Sequence, residues 1–191
     1  MRFVGLLAWA VATTAAGATS SLDIADLMAK LSAVDVSVVT FEETRHFAVM
    51  SAPVVRRGTL RYERPDRLEM QVVTPFPETV EIAGSRIRIE SPDGRREWSL
   101  AAQPVALAWI EAIRASLAGD VATLARLFRI TLTGTSASWR LHLEPLDARV
   151  ATTLAHVEVR GREAQLSTIE IVDRQGDRVV IKLEPVQRRP Q

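Results

Sequence analysis

The chain has 191 residues, 24 Lys and Arg against 23 Asp and Glu, a formal net charge of +1 and no cysteine. The charge balance excludes binding to nucleic acid or anionic lipid that is driven by net charge. The absence of cysteine excludes a disulfide scaffold, a thiol nucleophile and thiolate metal sites.

The first stretch reads as an export signal. A basic start at Arg2, an apolar run from Phe3 to Ala12 and the small residues Ala16-Gly17-Ala18 predict a signal peptide over residues 1–18, cleaved after Ala18. The apolar run is too short for a transmembrane helix. Cleavage removes Arg2 and leaves a formally neutral chain, with no cysteine to carry a lipid. The expected mature product is a soluble, monomeric protein of the periplasm: a single domain over residues 19–191, fraying from about Pro185.

Leu22, Ile24, Leu27, Met28, Leu31 and Val34 recur at helical spacing, with Ser20 or Ser21 as the expected cap. A strand is expected from Val36 to Phe47. Its second half, Glu42-Glu43-Thr44-Arg45-His46, reads as solvent-facing or as a rim, and Arg56-Arg57 reads as a solvated edge. From Gly58 to Ile82 apolar and polar residues alternate, Leu60 and Tyr62 first and then Leu68, Met70 and Val72. That is the period of half-buried strands. Pro65 and Asp66 place a corner between them, and Thr74-Pro75-Phe76-Pro77-Glu78 reads as a stiff turn with an exposed or pocket-rim aromatic.

Thr79–Ile82, Arg86–Glu90 and Arg95–Leu100 continue the meander through two glycine turns. The period then becomes helical. Pro104 suits a first helical position, Gly119 a stop, and Asp120 the cap of a second, shorter helix. The Pro104–Ala118 helix would span roughly 22 Å. It is apolar over a broader arc than one sheet contact needs, which suits a cover over a small barrel. Strands resume at Ile130–Thr133, Trp139–Leu143, His156–Arg160, Leu166–Asp173 and Arg178–Leu183, with one helical turn near Ala148–Thr153. About ten short antiparallel strands in one meander must curl, since a long open sheet leaves bare faces. The expected class is α+β, mainly β: an unclosed, strongly curved half-barrel with an N-terminal helix and a central helical lid.

The sequence carries no pattern for catalysis. His46, His142 and His156 fall on different strands without metal-ligand spacing. There is no Gly-x-Ser-x-Gly elbow and no phosphate-binding glycine loop, and Gly134–Ser138 reads as a hairpin turn. No catalytic residue, metal or cofactor is expected. Strand alternation places Leu60, Tyr62, Leu68, Met70, Val72, Val80, Ile82, Ile87, Ile89 and Trp98 on inner faces, with Trp109 and Ile113 on the central helix. These residues can line an apolar binding cavity or fill a closed core; both readings stay open.

Gly58, Leu60, Tyr62, Arg64-Pro65 and Leu68, downstream of an amphipathic helix and Phe41-Glu42-Glu43, are similar to the corresponding stretch of the periplasmic outer-membrane lipoprotein carriers of LolA type. The shorter LolA-related proteins are the nearest in look. The resemblance spans about Leu22 to Leu183. It implies an unclosed half-barrel lidded by helices and a cavity for the acyl chains of a lipid or lipoprotein. It also implies an inner-membrane donor complex and an outer-membrane acceptor. Arg64 matches the family arginine that hydrogen-bonds the backbone of the lid helices and latches the empty cavity. Without the resemblance, Arg64 reads as a surface charge beside Glu63 or Asp66. Compared with the larger carriers, the segment before the central helix is shortened and the chain stops soon after Leu183. Two other functions fit the same fold: a periplasmic sensor or scaffold that binds a protein or lipid signal, and an accessory to export of lipid or polyene acyl chains.

Overall fold

The computed structural model describes residues 22–186. The expected signal peptide, the serines proposed to cap the first helix and the last five residues of the tail lie outside that range. The elements run α1 (Ile24–Ser32), β1 (Val36–His46), β2 (Val54–Glu63), β3 (Arg67–Thr74), β4 (Glu78–Ala83), β5 (Arg86–Ser91) and β6 (Gly94–Ser99). A 3-10 turn (Leu100–Ala102) leads to α2 (Pro104–Ala118) and α3 (Val121–Leu127). Then come β7 (Phe128–Thr135), β8 (Ser138–Pro145), α4 (Ala148–Ala151), β9 (Leu154–Arg162), β10 (Gln165–Asp173) and β11 (Arg178–Pro185).

All strands join one antiparallel sheet in the order β6-β5-β4-β3-β2-β1-β11-β10-β9-β8-β7. β6 and β7 end the sheet without pairing to each other, so the barrel is unclosed. The count is eleven rather than about ten. Most strands run longer than alternation suggested, because pairing continues through the polar residues at their ends. β2 is the clearest case. It starts at Val54, pairs with β1 along its length and with β3 from Arg57 onward, so Arg57 is not an edge residue.

The sheet carries its apolar residues inward and its charges outward. On the convex side Arg61, Glu69, Glu81, Arg88 and Glu97 follow one another across β2 to β6 in register. Arg88 bridges Glu81 at 3.1 Å and Glu97 at 3.3 Å. Glu69 and Glu81 face each other as like charges, and Arg67 and Arg88 offset them by bridging Glu81 at 2.9 and 3.1 Å. The concave side packs on the helices, with Phe41, Leu141, Leu143, Val157, Val159, Ile169 and Phe128 buried beneath α2 and α3.

Asp23, not Ser20 or Ser21, caps α1: its carboxylate accepts from the Ala25 amide at 2.9 Å, within the described residues. Gly119 closes α2 at φ +68°, a left-handed conformation that favours glycine. A Cβ there would sit 2.2 Å from the Met28 carbonyl, so the end of α2 lies directly on α1. Gly58 is equally constrained, since its Cβ would fall 1.8 Å from the Gln71 carbonyl at a register shift between β2 and β3. That close approach lets the sheet bend where the concave wall begins.

Candidate functional site: a lidded cavity on the concave face

Two cross-strand rows build the wall of a cavity under α2. Leu60, Met70, Val80 and Ile89 face one another in order across β2 to β5. Leu68, Ile82, Ile87 and Trp98 form the next row across β3 to β6. From above, α2 adds Ala106, Trp109, Ile110 and Ile113, and Ile169, Ile171, Val179 and Ile181 of β10 and β11 complete the far wall. The cavity volume is about 700 Å³, within the range of small-molecule sites. The concave face is therefore not filled to its centre by side chains.

Ten of the twelve residues expected to line such a cavity do so: Leu60, Leu68, Met70, Val80, Ile82, Ile87, Ile89, Trp98, Trp109 and Ile113. Tyr62 and Val72 do not. Tyr62 is displaced toward the β2–β3 corner, where it lines a second cavity of about 480 Å³ beneath α1 with Leu31, Val39, Leu117 and Leu166. Burial pushes its phenol above the ordinary value, although Arg64 and Arg114 pull the other way. Val72 points into a groove of about 620 Å³ at the opposite end, walled by Pro75, Phe76, Pro77 and Pro92. That groove shares Arg56, Glu78, Ile89 and Trp98 with the main cavity and so leads out of it. Phe76 stands at its rim, 76% exposed.

Two arginines tie the lid to the sheet. Arg64, at the corner after β2, donates from Nη1 to the Ser32 carbonyl at 2.9 Å and the Ala118 carbonyl at 3.1 Å, the last turns of α1 and α2. Its ion-pair partner is Asp35 at 3.7 Å rather than Glu63 or Asp66. Arg114 runs in the reverse direction. From α2 it reaches Asp66 at 3.0 Å and the Gly84 carbonyl at 2.9 Å, in the β2–β3 and β4–β5 turns. Asp66 also accepts from the Gly84 amide at 3.0 Å. A planar fork with five donors suits such multiple capture. Sequence reasoning missed Arg114; its one signal is Glu111 three residues before it, the two forming an ion pair at 3.0 Å on a helix whose other residues are apolar or small.

Two further expectations are corrected. Glu43 is neither solvent-facing nor a rim residue: it is 2% exposed on the concave face, because it shares strand parity with Phe41. Arg56, read as solvated, turns inward beside it and bridges Glu78 at 2.5 Å. The histidines are less scattered than their spacing suggested. β8 and β9 bring the rings of His142 and His156 to 4.6 Å on the convex side, away from the cavity. Among the described residues no group of three or more His, Cys, Asp or Glu is placed to hold a metal ion.

Fold and cavity together define a class: an unclosed half-barrel with a helical lid over an apolar interior. Residues 16–185 match the model of the family described as outer membrane lipoprotein carrier protein LolA-like. The chain belongs to that family. No curated protein matches the sequence. Similar solved structures include the LolA superfamily protein NE2245 from Nitrosomonas europaea, 12% identical at a TM-score of 0.46, covering 86% of this chain and 93% of that one. The MucA/MucB complex of Pseudomonas aeruginosa is 12% identical at 0.47, covering 89% of this chain and 59% of that one. LprF from Mycobacterium bovis is 8% identical at 0.33, covering 88% and 96%. The family assignment rests on the family-model match. Among the described residues no helix is long and apolar enough to cross a membrane.

Proposed function

We propose that the protein is an exported, non-enzymatic carrier that takes the acyl chains of a lipid or lipoprotein into the cavity beneath α2 and moves them toward the outer membrane. The observation that carries this reading is the 700 Å³ space itself, walled by two registered rows of apolar side chains and roofed by α2. Such a wall offers an acyl chain dispersion contacts and release from water at about 0.8 kcal/mol per methylene, with little hydrogen-bonding demand. The family description supports the reading. So does the Arg64 geometry: a guanidinium that joins both lid helices to the corner is placed to hold the lid while the cavity is empty. The proposed lining is the set of ten residues above, and the proposed compartment is the periplasm, reached through the signal peptide. A donor complex at the inner membrane and an acceptor at the outer membrane complete the route.

Extraction and mass analysis of the protein recovered from its own compartment test the carrier reading against a sensor role. Co-purifying acyl species are the expected result. A stoichiometric protein partner with no acyl species would overturn it in favour of a sensor or scaffold.

A further inference from the structure

One part of the cavity wall is not what an acyl chain alone requires. Glu43 lines the cavity at 2% exposure, paired in register with Arg56 on β2 and Ile181 on β11. Arg45 contacts it through Nε, and Arg56 lies at 3.7 Å through Nη1; both reach the same oxygen, Oε1. Arg56 then spans to Glu78 on β4. Among the described residues no donor reaches Oε2 of Glu43, and no fully enclosed side-chain polar atom lacks a partner, so Oε2 opens to the cavity space. The two Nη groups of Arg45 likewise make no hydrogen bond among the described residues.

Stability does not explain this cluster. Buried ion pairs are often matched or bettered by apolar residues of the same volume, and the surrounding positions, Ile171, Val179 and Ile181 among them, are already apolar. Position explains it better. Arg56 and Glu78 belong both to the cavity and to the groove that leads out past Phe76. A chain lying along Leu60, Met70 and Val80 would bring its polar end to this junction. The cluster is neutral overall, two carboxylates against two guanidiniums, and among the described residues Glu43 Oε2, Glu78 Oε2, Arg56 Nε and the two Nη groups of Arg45 make no hydrogen bond. A purely anionic head would meet Glu43 and Glu78 at close range, and a purely cationic head would meet Arg45 and Arg56.

Resting on the carrier reading, we infer that Glu43, Arg45, Arg56 and Glu78 form a head-group site for a zwitterionic amphiphile: an ammonium on Glu43 Oε2 and an acidic oxygen on the Nη groups of Arg45. Binding draws the polar head into the cavity instead of leaving it in water at the rim. The site thereby selects among cargoes that share the same acyl chain.

The test uses three single-chain amphiphiles of equal acyl length: lysophosphatidylethanolamine, lysophosphatidylglycerol and the free fatty acid. Each displaces an environment-sensitive acyl probe from the mature protein. The ethanolamine lipid is expected to bind at least about tenfold more tightly than the other two, the worth of one charge-assisted hydrogen bond. Glu43→Gln should bring the three within about threefold of one another. Arg45→Gln, at a more exposed residue, should weaken all three by about tenfold while the ethanolamine lipid, which alone carries the ammonium for Glu43, stays ahead; it serves where Glu43→Gln fails to fold. Equal affinities in the unmodified protein, a preference that survives in folded Glu43→Gln, or unchanged affinities in Arg45→Gln would overturn the head-group site alone. Binding of none of the three would overturn the carrier reading and this site with it.

Discussion

Arg64 Nη1 lies 3.1 Å from the carbonyl oxygen of Ala118, which fastens the last turn of α2 to the corner between β2 and β3. The same atom holds the Ser32 carbonyl of α1, so one guanidinium secures both lid helices. Hydrogen bonds from a charged donor contribute about 1.5 to 3 kcal/mol, which biases a closed–open equilibrium by about one to two decades. Arg64→Leu should therefore load an acyl probe as well as the unmodified protein or better, and pass it to acceptor liposomes more slowly. Arg64→Lys should fall between the two because an ammonium lacks the fork. Stopped-flow transfer rates decide this. Unchanged loading and transfer in Arg64→Leu would return Arg64 to a surface role beside Asp35.

The cavity wall gives a second expectation. Met70 and Ile87 lie in neighbouring cross-strand rows, and a carboxylate at either position enters an apolar stretch of the cavity wall. Desolvation of an unpaired charge costs several kcal/mol against a bound chain. Met70→Glu and Ile87→Glu should each abolish binding of an environment-sensitive acyl probe while the far-ultraviolet dichroism stays unchanged. Full binding by both folded variants would mean that the ligand sits elsewhere.

How much of this was legible can be read from particular residues. Alternation fixes which face a side chain takes, so Leu60, Met70, Val80 and Ile89 were assigned inward correctly. It says nothing of height along the strand. That is why Tyr62 falls under α1 and Val72 falls in the outer groove instead of the main cavity. The Pro104–Ala118 helix and its glycine stop were legible because proline, glycine and a change of period mark them locally. Glu43 and Arg56 were misread because charge was taken as a sign of solvent, although Glu43 stands two residues from Phe41 on the same face. The meeting of His142 and His156 depends on the register of β8 on β9, which the spacing of the two residues does not contain.

That meeting has a pH consequence. Burial, then the neighbouring His142, lowers the pKa of His156 from its ordinary value; Glu170, Glu158 and Glu144 oppose the shift. The unfolded chain thus takes up a proton before the folded one does. The associated stability is present above the ordinary histidine value and is lost as pH falls through the lowered one. Glu170, held below the ordinary carboxylate value by its hydrogen bond from Arg178, acts with the same sign in a more acidic window. Thermal midpoints of the unmodified protein should fall between pH 7.5 and 5.5, as the unfolding free energy drops by no more than about 1.4 kcal/mol per pH unit for one proton. His156→Gln should flatten that slope. An equal slope in the variant would assign the dependence to other groups.

Export makes its own prediction. We propose cleavage after Ala18, at Ala16-Gly17-Ala18, so N-terminal sequencing of protein secreted through the inner membrane should begin at Thr19. A membrane-bound product that keeps Met1 would contradict it.

The central claim, that acyl chains lie beneath α2, is tested most directly by quenching of tryptophan fluorescence with a brominated fatty acid. Trp109 and Trp98 line the cavity, whereas Trp139 is buried away from it with its indole donating to the Glu163 carbonyl. Titration should quench the mature protein to saturation at about one ligand per chain. The Trp98→Phe, Trp109→Phe double variant, retaining Trp139, should bind the same ligand with little quenching. Binding that leaves Trp98 and Trp109 unquenched, or that quenches the double variant as strongly as the unmodified protein, would place the ligand outside this cavity.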